Sequence, residues 1–249
     1  MKPSVIVLAK NEEQYIKKCI ESVIHVAREV IVIDDKSSDK TAEIAKSAGA
    51  RVVTHPLKDF SDQRAFGERE ANSEWVLCID ADEYLSDELS AEIAALDERD
   101  YFAYYLRRRD VFWGTELKYG EVKTARDRGF IRLYKVGSGE WRGAVHEDFH
   151  TNVETRQLGG FIEHHSHQTV AEFLTAINYY STVRAHELQR EGARSTTYSV
   201  AVQPILKFIY TYFFKLGFRD GPAGFVYAFM MSFHSFLVRA KLYQYTELK

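Results

Sequence analysis

Four short apolar runs, each followed by a segment with helical spacing, fill the first hundred residues and leave few architectures open. The runs are SVIVLA (4–9), EVIVIDD (29–35), RVVTH (51–55) and WVLCID (75–80). Between and after them lie EEQYIKKCIESVIHVA, DKTAEIAKSAG, SDQRAFGEREA and SDELSAEIAAL. The first of these puts Tyr15, Ile16, Cys19, Ile20, Val23 and Ile24 on one helical face. Strand then helix, repeated, predicts parallel βαβ units. A run such as WVLCI shows no polar alternation, which predicts a strand covered on both faces. Ser38 or Asp39 is placed to cap the second helix and Gly49 to end it, while Ser86 caps the fourth with Leu89 and Ile93 inward.

After about residue 100 the pattern changes. YFAYYLRRRDVFWG, GFIRLYKVGSGEWRGAVHEDF and TRQLGGFIEHHS read as strands and turns that extend or flank the sheet, and from Thr169 the chain reads as helical. The expected division is 1–168 and 169–249. A chain of 249 residues with 45% hydrophobic content can build a substantial core. Its net charge of −3 offers no overall basic surface, so nucleic acid is not an expected partner. Cys19 and Cys78 fall in a helical and a strand pattern without metal-ligand spacing, as core thiols of a reducing compartment do. MKPSVIVLAKNEE has too short an apolar run for a signal peptide, so a cytoplasmic location is expected.

The ends of the four strands carry AKNEE, DDKSSD, HPLKDFSDQR and DADE. Ligands of open α/β sheets bind along that edge, and polar residues at every consecutive strand end predict a site there. Asp80, Asp82 and Glu83 stand close together, a costly concentration of negative charge unless a cation joins it. Hard carboxylate oxygens suit Mg²⁺ or Mn²⁺, particularly with phosphate completing the shell. The plainer alternative is that Asp82 and Glu83 favour the positive end of the next helix. Neither G-x-G-x-x-G after the first strand nor a Walker sequence is present, which argues against hydride-transfer and P-loop chemistry.

Taken in order, VIVLAKNEEQYIKKCIESV, VIDDKSSDKT, DQRAFGEREANSEWVLCIDADE and GEWRGAVHED resemble the inverting family 2 glycosyltransferases of the GT-A fold. The nearer resemblance is to small bacterial enzymes that add glucose to lipopolysaccharide or lipooligosaccharide cores, and it covers almost the whole chain. It implies a Rossmann-like mixed sheet flanked by helices, with a helical C-terminal extension. It also implies a UDP-sugar donor, UDP-glucose by inheritance, and a glycan or glycolipid acceptor such as a heptose of a lipopolysaccharide core. Ala9, Asn11 and Glu12 would then line the nucleotide pocket, Asp35 would read the uracil edge, and Asp34 would hold its loop. Gln63 and Arg64 would approach the donor, with Arg64 offsetting pyrophosphate charge. Asp80 and Asp82 match the DxD pair, Asp80 towards the ribose and Asp82 towards the metal. Lys36 departs from the pattern, since many relatives have glycine there; it is read as solvated rather than as a phosphate ligand.

Transfer needs a carboxylate base near the acceptor hydroxyl. Glu147 matches the glutamate of a VHE signature and is the expected base, with the adjacent Asp148 as the alternative. The resemblance makes His164 a third metal ligand and leaves His146, His165 and His167 structural or facing the acceptor. Arg132 would contact phosphate or acceptor, or pair with an acid of the core. Two other classes compete. Haloacid dehalogenase phosphatases also carry DxD, but on their first strand and with Thr or Val where Tyr84 stands here. A nucleotide-sugar-binding protein without catalysis would keep the same binding residues; the acids of HED argue against it.

From Ser199 to Tyr245 the charged residues are Lys207, Lys215, Arg219, Arg239 and Lys241 against Asp220, with many aromatics between them. Basic residues among aromatics suit an interfacial helix on anionic lipid, so a peripheral position at the inner face of the cell membrane is expected. The uncharged run from Gly221 to Val238 approaches the roughly 20 residues of a span, yet Gly-Pro, Ser232, His234 and Ser235 make it a poor one. Gly224, Ala228, Ser232, Ser235 and Arg239 form a small stripe that could instead pack against a neighbouring helix or a second subunit, giving a homo-oligomer.

Overall fold

The computed structural model describes residues 1–99, 102–143, 147–165 and 169–248. His146 and His167 lie outside them. The chain divides into two compact units, Met1–Arg109 with Ala125–His164, and Asp110–Thr124 with His165–Lys249.

In the first unit the predicted alternation is observed: β1 (Ser4–Ala9), α1 (Ile16–Val23), β2 (Glu29–Asp34), α2 (Thr41–Ser47), β3 (Arg51–Thr54), α3 (Phe60–Glu70) and β4 (Trp75–Asp80). Along the chain there follow β5 (Glu83–Leu85), α4 (Asp87–Ala95), β6 (Ala103–Phe112), β7 (Thr115–Leu117), α5 (Lys123–Asp127), β8 (Phe130–Lys135), β9 (Gly139–Arg142), β10 (Asp148–Thr151) and β11 (Thr155–His164), of which the end of β6, β7 and the start of α5 belong to the second unit. The sheet runs β3-β2-β1-β4-β8-β6-β11-β5, with β7 pairing β6, while β9 and β10 form a separate ribbon. β1 is parallel to β2 and β4, and β8 is antiparallel to β4, so the sheet is mixed.

Alternate residues of one strand show why the apolar runs lack polar alternation. Val5 and Val7 join a core with Ile16, Cys19 and Ile20 of α1, whereas Ile6 and Leu8 join another with Trp141 and Phe149, against which Phe66 of α3 packs. Both faces are therefore dry. The cap follows the sequence reading at Ser86, whose hydroxyl accepts from Leu89 N; α2 departs from it, because Lys40 is its N-cap with no side-chain cap bond, and Asp39 one residue earlier accepts from Thr41 N at 3.0 Å in a local turn instead. Ile24 departs from it: α1 ends before this residue, which is 39% exposed.

Short β5 has no signal of its own. It exists because it pairs with β11, with Tyr84 opposite Glu163 and Leu85 opposite Ile162. Sequence pattern also misses the break in the first aromatic stretch. In the second unit α6 (Val170–Arg190), α7 (Thr197–Ile209) and α8 (Gly221–Glu247) pack together, and α7 gives way to a π turn at Tyr210–Phe214. Leu216 then takes a left-handed φ of 62° before a 3-10 turn, Gly217–Asp220, leads into α8. The core of this unit holds Phe112, Leu117, Phe173, Ile177 and Met230. Among the described residues Gly217–Glu247 is long and apolar enough to cross a membrane, with a mean hydropathy of 1.2.

Gly67 of α3 permits a close helix–strand approach. A Cβ there would lie 2.4 Å from Cγ2 of the buried Ile6. Gly67→Ala is expected to destabilise the protein by ~1–3 kcal/mol through overpacking. Denaturant titration checks this, and an unchanged midpoint would show that α3 is free to shift.

Candidate active site

The loops after β1 and β2 are stitched together. Asn11 Oδ1 accepts from Ser38 N at 2.8 Å, Asn11 N donates to Ser37 Oγ at 2.9 Å, and Glu12 N donates to Thr41 Oγ1 at 2.7 Å. Asp34 accepts from Ser37 N, so this carboxylate holds its loop. Asp35 N donates to the carbonyl of Ala9, the buried last residue of β1. The Asp35 carboxylate is itself anchored, by Leu57 N at 2.8 Å and by Lys10 Nζ at 2.5 Å. Lys36 has a φ of 52°, in the left-handed region where glycine meets no Cβ penalty. That explains physically why glycine suits this position.

α3 delivers two buried polar side chains. Gln63 Nε2 donates to His55 O, while its Oε1 is buried without a hydrogen-bond partner. Arg64, only 1% exposed, forms the centre of the site. Its Nε donates to Glu147 Oε1 at 2.7 Å and its Nη2 to Asp80 Oδ1 at 2.9 Å, while Nη1 is buried without a partner. Arg132 of β8 stands behind the same two acids, 3.7 Å from Asp80 and 3.9 Å from Glu147. The Trp141 ring lies 5.0 Å from the Arg64 guanidinium and 5.9 Å from that of Arg132. Burial disfavours the charge on Asp80, but Arg64 and Arg132 outweigh it and bring its carboxyl down to about 2. Burial likewise works against the Arg64 charge, and Asp80 and Glu147 overcome it, raising this guanidinium further.

A second group lies beside the first. Asp82 Oδ2 is 3.1 Å from His164 Nε2. Glu83, 1% exposed, accepts from Asp80 N at 3.0 Å and lies 3.5 Å from Arg108. Burial, reinforced by the charge of Asp80, raises the Glu83 carboxyl. The Glu12 carboxyl rises to about 8, first through burial and then through the charges of Asp82, Asp80 and Asp39.

The structure thus brings together Arg64, Asp80, Glu147 and the companion Arg132, and separately pairs Asp82 with His164. Asp148 is not among them; it opens β10 opposite Arg142 with an exposed side chain. Sequence reasoning counted Glu83 in the acidic cluster but did not foresee its bond to Asp80 N, and it did not foresee Trp141. A three-residue strand and a ring brought in by a remote ribbon leave little local trace. Among the described residues no three His, Cys, Asp or Glu side chains are gathered into a ready-made metal cluster. The donors nevertheless fit a hard divalent cation. Asp82 and His164 stand 3.1 Å apart, and Glu12 is pushed up by burial and then by the neighbouring acids, the second of which effects a cation would relieve.

The site is thus a mixed sheet with carboxylates at its parallel strand ends, one of which, Asp80, is joined through Arg64 to Glu147. The model of glycosyl transferase family 2 matches residues 4–154. A lipopolysaccharide core biosynthesis glycosyltransferase, LpsC of Rhizobium meliloti, is 30% identical over 259 residues, 99% of this chain and 93% of that protein. An uncharacterized glycosyltransferase of Rickettsia typhi is 31% identical over 97% of this chain and 86% of its own length. The crystal structure of S. aureus TarS 1–349 in complex with UDP covers 100% of this chain and 92% of its own, at 16% identity and a TM-score of 0.50, an agreement in fold. The chain belongs to glycosyl transferase family 2, has the GT-A fold and is a glycosyltransferase.

Glu12 yields a prediction with a definite sign. Its folded-state value of about 8 lies above its ordinary 4.5, so the stability linked to its proton is present at acid pH and lost as pH rises through about 8. In chelator, Glu12→Gln is expected to lose less stability than the parent between pH 5 and 9. Melting curves at both ends check this, and parallel losses would refute it.

Proposed function

We propose that the protein transfers a sugar, glucose from UDP-glucose, with inversion onto a hydroxyl of a lipopolysaccharide-core or other lipid-linked glycan, in a reaction that depends on Mg²⁺ or Mn²⁺. One observation carries the reading: Arg64 joins the first acid of the DxD pair to Glu147, so a donor-side and an acceptor-side carboxylate share one rigid anchor. Similarity to LpsC over nearly the full length of both proteins supports a core-oligosaccharide acceptor. The same acceptor would place the enzyme in the cytoplasm at the inner face of the membrane.

In this mechanism Ala9, Asn11, Glu12 and Asp35 line the nucleotide pocket, with Asp35 at the uracil edge and Asp80 towards the ribose. Gln63 Oε1 and Arg64 Nη1, buried without hydrogen-bond partners, are the atoms through which α3 meets the donor. Asp82 and His164 hold the metal, which when bound supplies positive charge to the diphosphate leaving group. Glu147 takes the proton of the acceptor hydroxyl as its oxygen bonds to the anomeric carbon. The bond from that carbon to the donor phosphate breaks on the opposite side, and its electron pair leaves with UDP. Asp148 is the alternative base. A nucleotide-sugar-binding protein without catalysis is the competing reading, and transfer to a core oligosaccharide separates the two.

UDP should bind more tightly in Mn²⁺ than in chelator, and Asp82→Ala should abolish the difference. Calorimetric titration gives the answer, with equal affinity in both buffers ruling out the metal reading. Glu147→Gln should keep UDP binding but lose ~10²–10⁴-fold in transfer. Near-normal turnover there, beside an inactive Asp148→Asn, would move the base by one residue.

A further inference from the structure

We propose that the turn between α7 and α8, with the outward sides of both helices, is a docking surface for an anionic lipid leaflet. This deepens the proposed function, on which it rests for the lipid-linked nature of the acceptor. Tyr210, Phe213, Phe214 and Phe218 are all at least 47% exposed on the turn, and Phe214 is 75% exposed. Phe225 and Phe229, one helical turn apart on α8, continue the patch at 45% and 55%. Ring contacts make it one surface, because Tyr212 lies 6.3 Å from Phe218 and 5.6 Å from Phe225. Monomeric soluble proteins rarely leave so many neighbouring aromatic rings in water.

Charge identifies the occupant. Lys215 and Arg219 lie within the aromatic turn, and from Ala193 to Tyr245 six basic residues face a single acid, Asp220. That acid is tied down, since its Oδ2 accepts from Lys118 N and Tyr119 N. Glu121, contributed from the preceding loop, is paired with Lys207 at 2.6 Å. A positive, aromatic surface complements lipid phosphates, each Lys or Arg adding to the attraction and each ring partitioning at headgroup depth. A two-fold contact between copies would instead set Lys215 and Arg219 against their own kind.

The geometry also favours lying on the leaflet over crossing it. α8 is fixed to its neighbours by polar contacts that a lipid-exposed span would forfeit. Ser232 Oγ donates to Pro204 O at 2.6 Å, Arg239 bonds Gln203 of α7, and Lys241 Nζ donates to Asn178, Ser181 and Thr182 of α6. The stripe of small residues along α8 is thereby partly used, because Gly224, Ala228 and Ser232 are buried within the unit.

Co-sedimentation tests the proposal with the full chain and vesicles of phosphatidylglycerol and phosphatidylcholine in equal parts, or of phosphatidylcholine alone. The parent protein is expected to sediment with the anionic vesicles. Phe213→Ser/Phe214→Ser and Lys215→Glu/Arg219→Glu should each weaken this about tenfold or more. Val136→Ser, an exposed apolar residue of the first unit, should leave it unchanged. Melting curves verify that the variants fold, and either double variant suffices. Absence of vesicle binding by the parent, binding that ignores lipid charge and both double variants, or a dimer in light scattering that Phe213→Ser/Phe214→Ser dissolves would each overturn the proposal. Transfer to a delipidated core oligosaccharide is measured on the same samples. Vesicle binding without transfer would defeat the proposed function and leave docking standing, and transfer without vesicle binding would do the reverse.

Discussion

The site depends on a guanidinium with almost no access to water. A buried charge is tolerable only when paired, and Arg64 meets that condition twice, through Asp80 at the end of β4 and Glu147 just before β10. These acids are remote in sequence, and the planar fork of an arginine fixes both directions at once in a way a lysine would not. Removing one partner of such a pair typically costs ~3–5 kcal/mol, because the other charge stays buried. The Arg64–Asp80–Glu147 link therefore ties the end of β4 to the segment before β10: whatever positions Asp80 also positions Glu147.

Around that link the charges are deliberately unequal in position. Asp80 sits among arginines and stays ionised, whereas Glu12 and Glu83 are pushed towards their protonated forms by burial and by the acids next to them. Asp82 forms a separate pair with His164 at 3.1 Å, and Asp82, Asp80 and Asp39 all bear on Glu12, so negative charge is concentrated at these strand ends.

Local pattern made the first four strands, their helices and the cap at Ser86 legible, because each is set by residues within a few positions of one another. The polar strand ends located the site for the same reason: a parallel sheet puts successive carboxyl ends on one edge. What pattern could not supply was pairing between distant segments. β5 depends on β11, and the order β4-β8-β6-β11 cannot be read from spacing. Arg132 is the instructive case. Sequence left it between substrate contact and a core ion pair, and only the return of β8 beside β4 brings it to within 4 Å of Asp80 and Glu147. The break at Leu216 escaped because a stretch dominated by aromatic and aliphatic residues satisfies a helix as well as it satisfies a turn.

Lys36 shows the cost of ordering the nucleotide side. A non-glycine residue held at a left-handed φ costs roughly 1–3 kcal/mol, and Asn11 across the gap is left-handed too. Asparagine tolerates that conformation better than lysine, and its side chain caps Ser38 N in return. The loops are kept by bonds to Ser37, Ser38 and Thr41, and by Asp34 at the end of β2. Such a network has already met its ordering cost in the folded protein. Asp35 is fixed in the same way by Lys10 and Leu57 N. A lysine in place of glycine at position 36 then weakens the fold slightly, a cost that lies in backbone conformation rather than in lost side-chain contacts.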